Sequence, residues 1–202
     1  MVDRPNQQPE LESLTRTQVL IAMGVTALLL LFVAKVWQYF DSFPSLVMIW
    51  QFKHALWGMG LGLGITAASA VIYQLWPQYR LSASLYLQLV IKPLVWTDLI
   101  WLGLLPGLSE ELLFRGVMLP ALGLNWVGLG LSSLCFGVLH LNSLKQWSYV
   151  VWVSCVGFIL GYSAWSTGNL LVPVMAHITT NIITGVSWKI THPPRHSQEK
   201  PE

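Results

Sequence analysis

Glu110 and Glu111, with Arg115 one turn on, lie between residues 91 and 158, where nearly every neighbour is Leu, Val, Gly or aromatic. Ionisable groups in such surroundings are costly unless they are paired or used. Further along the same apolar half stand His140, His177 and Asn181, with Asn142 and Asn169 nearer the turns. Carboxylates and imidazoles held away from bulk water can act as general bases, bind a metal such as zinc, or relay protons in transport. Each of those chemistries requires the groups to meet, so the elements that carry them come next.

The chain has 202 residues, 54% of them hydrophobic and only 10% charged, and its mean hydropathy is +0.57. Charge is pushed to the ends: between Gly116 and Trp188 the only formal charge is Lys145. Soluble helices need a polar face and these have none, so the composition predicts an all-α, polytopic transmembrane bundle. A net charge of +2 without a basic cluster excludes a nucleic-acid partner. Trp37, Trp76, Trp126, Trp147 and Trp188 stand near the ends of apolar runs, where an amphipathic ring favours the membrane interface. Cys135 and Cys155 show no CxxC spacing and read as small buried hydrophobes.

Residues 1–16 read as a polar tail, 17–190 as the helical domain and 191–202 as a second polar tail. The first apolar run has no small-residue cleavage pattern soon after it and reads as a retained helix. Six or seven helices are expected: residues 14–39, 54–76, 85–105, 110–122, 126–140, 147–165 and 170–190. Gly58, Gly60, Gly62 and Gly64 suit close packing in the second. Lys92, Pro93 and Asp98 make the third weak and prone to kinking. Pro106-Gly107 reads as a breaker, which makes Ser109 an N-cap and puts both glutamates in a first turn.

Counting along these helices compares depths. From Glu110 the chain runs about 18 Å to the turn near Leu122, then about 22 Å back to His140, returning near its starting level. His177 and Asn181 lie about 10 and 16 Å along the last helix and, at i and i+4, share one face. A bundle that gathers these three helices forms an intramembrane polar site of Glu110, His140, His177 and Asn181. Glu111 and Arg115, also i and i+4, read as a charge-neutralising pair, whereas Glu110 has no base at i+3 or i+4 and needs a partner from another helix.

Glu110-Glu111-x-x-x-Arg115 followed by Gly-Val, Phe136-x-x-x-His140, and His177-x-x-x-Asn181 after Gly168-Asn169-Leu170 together resemble the three motifs of the CPBP family. That family comprises the CAAX prenyl endopeptidases and their bacterial relatives, including Abi-type bacteriocin immunity proteins. The resemblance covers about residues 102–188. It implies a membrane-embedded glutamate-type endopeptidase in which Glu110, helped by His140, activates water while His177 and Asn181 stabilise the oxyanion. Glu111, Arg115 and Phe136 then support the site. The chemistry is sound: a carboxylate in a poorly solvated cavity gains affinity for protons, an imidazole can share one, and an oxyanion donor is typically worth about 3 kcal/mol.

The resemblance implies no cofactor. Zinc is the less favoured variant, since Glu, His and His are competent ligands but no HExxH occurs. The expected partners are the lipid bilayer and a membrane-associated protein or peptide substrate, and the expected location is a bacterial cell membrane. The competing readings are a non-catalytic protein of immunity or partner binding, and a proton-coupled transporter.

Overall fold

A computed structural model of the protein describes residues 14–40, 43–141, 143 and 146–193. The described residues form α1 (Arg16–Phe40), α2 (Phe52–Leu75), α3 (Pro77–Ile91), α4 (Leu99–Glu111), α5 (Leu119–Leu122), α6 (Trp126–Val138), α7 (Trp147–Thr167) and α8 (Leu171–Thr191). A π-helical segment, Leu112–Met118, joins α4 to α5, so these three make one rod and the described helices number seven. The fold is all-α, as composition and periodicity predict. Helix starts fall within about two residues of expectation except where prolines mislead.

Three helices, α1, α2 and α7, are long and apolar enough to cross a membrane, and α3 with the rod makes a fourth if the bent pair is one span. Their large side chains point outward: Ile21, Leu28 and Phe32 of α1 are each 60% exposed or more. Small residues, Ala27 and Ala34, face inward. That is the reverse of a soluble helix and fits a hydrocarbon solvent. Cys135 and Cys155 follow the same rule and correct the expectation of burial, for both are exposed. An apolar sequence does not distinguish a core face from a face meant for lipid.

α8 is the central helix. A Cβ on Gly58 or Gly62 of α2 would lie 2.5 Å from the carbonyl oxygen of Val172 or Ala176. On its other side, a Cβ on Gly103 or Gly107 of α4 would meet Cγ1 of Ile182 at 2.7 Å or of Ile178 at 2.6 Å. Two glycine pairs at i,i+4 thus let α2 and α4 approach α8 closely. Gly60 and Gly64 have nothing within 4 Å, so half of the glycine stripe carries the packing.

Two expectations are corrected. The weak third span is not one helix: α3 ends at Ile91, a 3₁₀ turn covers Trp96–Asp98, and the chain bends by 108° before continuing. Pro93 restricts the residue before it and cannot extend the helix. The bend is held by Asp98, which pairs bidentately with Arg16 at 2.7 and 2.8 Å, accepts the Val95 N–H at 2.8 Å, and lies beside Lys189, whose ammonium donates to the Leu94 carbonyl. Arg16 therefore opens α1 and is not part of a tail.

The second correction concerns Pro106-Gly107, which does not break the chain but lies inside α4. Ser109 is accordingly no N-cap; its hydroxyl donates back to the Leu105 carbonyl at 2.7 Å. Glu110 and Glu111 therefore sit mid-rod, where a helix N-terminus offers them nothing. Proline is accommodated because neighbouring groups satisfy the backbone it leaves open, and Gly107 provides space for α8.

Candidate active site

The rod delivers Glu110 and Glu111 to the centre of the bundle on successive positions, so the two carboxylates project in different directions. Glu111 is fully buried and Arg115 is 1% exposed. Arg115 Nη1 donates to Glu111 Oε1 at 2.8 Å, and its Nη2 donates to the Gly157 carbonyl at 2.9 Å. The guanidinium also lies over the Phe136 ring at 4.2 Å. Arg115 stands within the π segment, whose wider turn is registered by the Leu119 N–H bonding to the Phe114 carbonyl. Such π segments are frequent at functional sites.

Glu110 is 14% exposed and has no ion partner on its own helix. Its Oε2 lies 3.8 Å from His140 Nε2 and 3.9 Å from His177 Nε2. These separations are too long for direct hydrogen bonds and short enough for one small molecule to bridge. α6 ends at Val138, and the Leu139 and His140 N–H groups close a final turn on the Cys135 and Gly137 carbonyls, which places His140 at the mouth of that helix. The structure thus brings Glu110, His140 and His177 together at one level, as the depth count requires.

The other ring nitrogens fix the tautomers. His140 Nδ1 is 2.8 Å from the Phe136 carbonyl oxygen, which can only accept, so this nitrogen carries hydrogen. His177 Nδ1 donates in the same way to Glu111 Oε1 at 2.7 Å. Both imidazoles consequently turn Nε2 toward Glu110. Glu111 is more than the partner of Arg115: one oxygen accepts from Arg115 and from His177, tying the rod to α8, a link the spacing of Glu111 and Arg115 could not disclose.

Phe136 supports both sides. Its carbonyl holds His140, its ring meets Phe114 edge-on at 5.1 Å, and the same ring lies against the guanidinium. Asn181 bonds outside the acid and imidazole cluster: its Nδ2 donates to the Leu102 carbonyl at 3.3 Å. Asn142 lies outside the described residues. Asn169 serves the chain instead, its carboxamide bonding both backbone groups of Ile49, the Leu171 N–H and His54 Nδ1, all between 2.7 and 3.0 Å. That binds the extended residues 43–51 to the start of α8.

Sequence reasoning missed Tyr86 of α3 and Tyr149 of α7. Their rings stack at 5.0 Å, and both phenols are within electrostatic range of Glu110. Neither falls in a motif, and the only signal was their place in helices that the bundle folds over the site. A cavity of about 280 Å³ between α1 and the rod, lined by Leu31, Ala34, Lys35, Gln38 and Leu112, contains none of the polar cluster. Among the described residues no group of three or more His, Cys, Asp or Glu is arranged to hold a metal ion.

Residues 92–183 match the family model described as type II CAAX prenyl endopeptidase Rce1-like. The chain is also 26% identical over 187 residues to YpbD of Bacillus subtilis (strain 168), described as an uncharacterized protein, with 91% of this chain and 93% of the relative covered. No solved structure matches. The family match opens at the α3–α4 bend and closes just beyond Asn181, enclosing every side chain of the cluster. Residues 92–183, the segment that builds the site, are therefore similar to the Rce1-like type II CAAX prenyl endopeptidases.

Proposed function

We propose that this protein is a multi-pass endopeptidase of a bacterial cell membrane that hydrolyses a peptide bond in a membrane-associated protein or peptide with a glutamate-activated water, without a metal or other cofactor. The observation that carries the reading is the convergence of His140 Nε2 and His177 Nε2 on Glu110 Oε2 at 3.8 and 3.9 Å within an apolar helical bundle. A water in that gap has a carboxylate to take its proton and an imidazole lone pair to orient it. Its oxygen attacks the carbonyl carbon and its proton passes to Glu110. The tetrahedral intermediate then collapses as the C–N bond breaks, and the proton goes to the leaving amine.

The oxyanion needs a donor. Glu110, Glu111 and Arg115 together leave one net negative charge, which an imidazolium at His177 balances. With Nδ1–H held by Glu111, a charged His177 presents Nε2–H on the side where the oxyanion forms. The resemblance pairs Asn181 with it there. The carboxamide's bond to Leu102 leads us to place the oxyanion donor on His177.

The relative in Bacillus and the outward apolar faces support a bacterial membrane location, and the family name makes a prenylated C-terminal peptide the first substrate to try. The test is purified protein in detergent with internally quenched peptides, farnesylated and unmodified. Cleavage that Glu110→Ala and His140→Ala abolish is the expected result. Full activity in Glu110→Ala overturns the mechanism, and loss of activity with a chelator, restored by zinc, overturns the metal-free form.

A further inference from the structure

In an α-helix the carbonyl of residue i accepts from the N–H of residue i+4, and a proline there supplies none. Leu102 is four residues before Pro106, so its carbonyl has lost its regular donor inside α4. The Nδ2 of Asn181 occupies that vacancy at 3.3 Å. The same device recurs further along the rod: Gly116 is four residues before Pro120, and its carbonyl accepts the Leu46 N–H at 3.0 Å. In each case a group from outside the helix takes the place of the missing amide, as an apolar surrounding demands.

We infer that Asn181 is a positioning residue, which docks α8 on the proline gap of α4 and thereby sets His177 against Glu110 and Glu111. Its site is a tightly packed part of the α4–α8 interface, flanked by the Gly103 and Gly107 contacts with Ile182 and Ile178. His177 is one turn away on the same helix face, and the groups it meets follow Pro106 by four and five residues. A bond at Leu102 therefore fixes both the separation and the rotation of the two helices that share the site. The link acts on the ground-state geometry and requires no substrate.

The inference yields a double-mutant cycle that does not depend on peptidase activity. Full-length wild type, Asn181→Leu, Pro106→Ala and the double variant are prepared in detergent micelles. Melting temperature and the ¹³C-histidine spectrum are recorded, with the His177 imidazole signal assigned through His177→Gln. Asn181→Leu keeps the branched heavy-atom skeleton of Asn and leaves the Leu102 carbonyl without a partner, lowering the melting temperature by about 3–6 °C and moving the His177 signal. Pro106→Ala returns an amide to the helix, so in that background Asn181→Leu costs less than half as much and the His177 signal regains its wild-type position. If the single variant does not fold, recovery of folded protein in the double variant is the same result. Equal losses in both backgrounds, failure of the double variant to recover, or an unmoved His177 signal overturns the inference. Because neither readout involves cleavage, its failure is distinct from failure of the proposed peptidase reaction.

Discussion

Removing the cation from the buried pair should be far more damaging than removing the pair. Arg115 is 1% exposed and Glu111 fully buried, and the guanidinium also holds the Gly157 carbonyl and covers the Phe136 ring. Arg115→Met keeps much of the bulk but strands a carboxylate whose remaining donor is His177. Breaking one partner of a buried pair costs about 3–5 kcal/mol, whereas replacing both with neutral groups of similar size is often near neutral. At about 2–4 °C per kcal/mol for a chain of this size, Arg115→Met should lower the melting temperature by about 10 °C. Glu111→Gln in the same chain should restore most of that loss, because the uncompensated charge is gone and the amide oxygen can still accept from His177. The assay is intrinsic tryptophan fluorescence during heating in detergent, for which eleven Trp residues give ample signal. A double variant as unstable as the sum of the two single variants, or Arg115→Met melting with wild type, refutes the reasoning.

The glycines of α2 should divide cleanly: Gly62→Leu must push α8 away from a contact at 2.5 Å and lose at least about 1–3 kcal/mol, while Gly60→Ala and Gly64→Ala, in open space, should be neutral or gain about 0.5–1 kcal/mol, all read as melting temperatures. Asn169→Ala removes the bonds that hold residues 43–51, so limited proteolysis should cut that segment faster while α7 and α8 stay intact. Asp98→Ala should destabilise more than Arg16→Ala, because Asp98 also carries the Val95 turn whereas the Arg16 side chain is half exposed and its pairing is screened by solvent. Equal melting temperatures for those two variants would count against that assignment.

Much of this protein was legible before folding. Hydropathy and the removal of charge to the chain ends determine an all-helical molecule built for lipid, and the lengths of α1, α2 and α7 follow from their uninterrupted apolar runs. Depth counting brings Glu110, His140 and His177 to one level, since helical rise is a fixed quantity and the turns at Gly123 and Gly168 are written in residues that tolerate positive φ. The i,i+4 relation of Glu111 and Arg115 is likewise a local property of the chain.

What the sequence could not decide depends on partners distant along it. Pro106-Gly107 reads as a stop because propensity considers only the helix itself; in the fold, Asn181 from α8 supplies the missing donor and Gly107 accepts the side chain of Ile178, so the helix continues and carries both glutamates into its middle. Pro93 instead stands at the 108° bend, which Arg16 and Asp98 hold. The sharing of Glu111 Oε1 between Arg115 and His177, and the turning of both Nε2 atoms toward Glu110, arise only when three helices meet. Local periodicity sets which residues can share a face. Which face meets which, and what that contact does to a proline or a carboxylate, is decided by packing across the bundle.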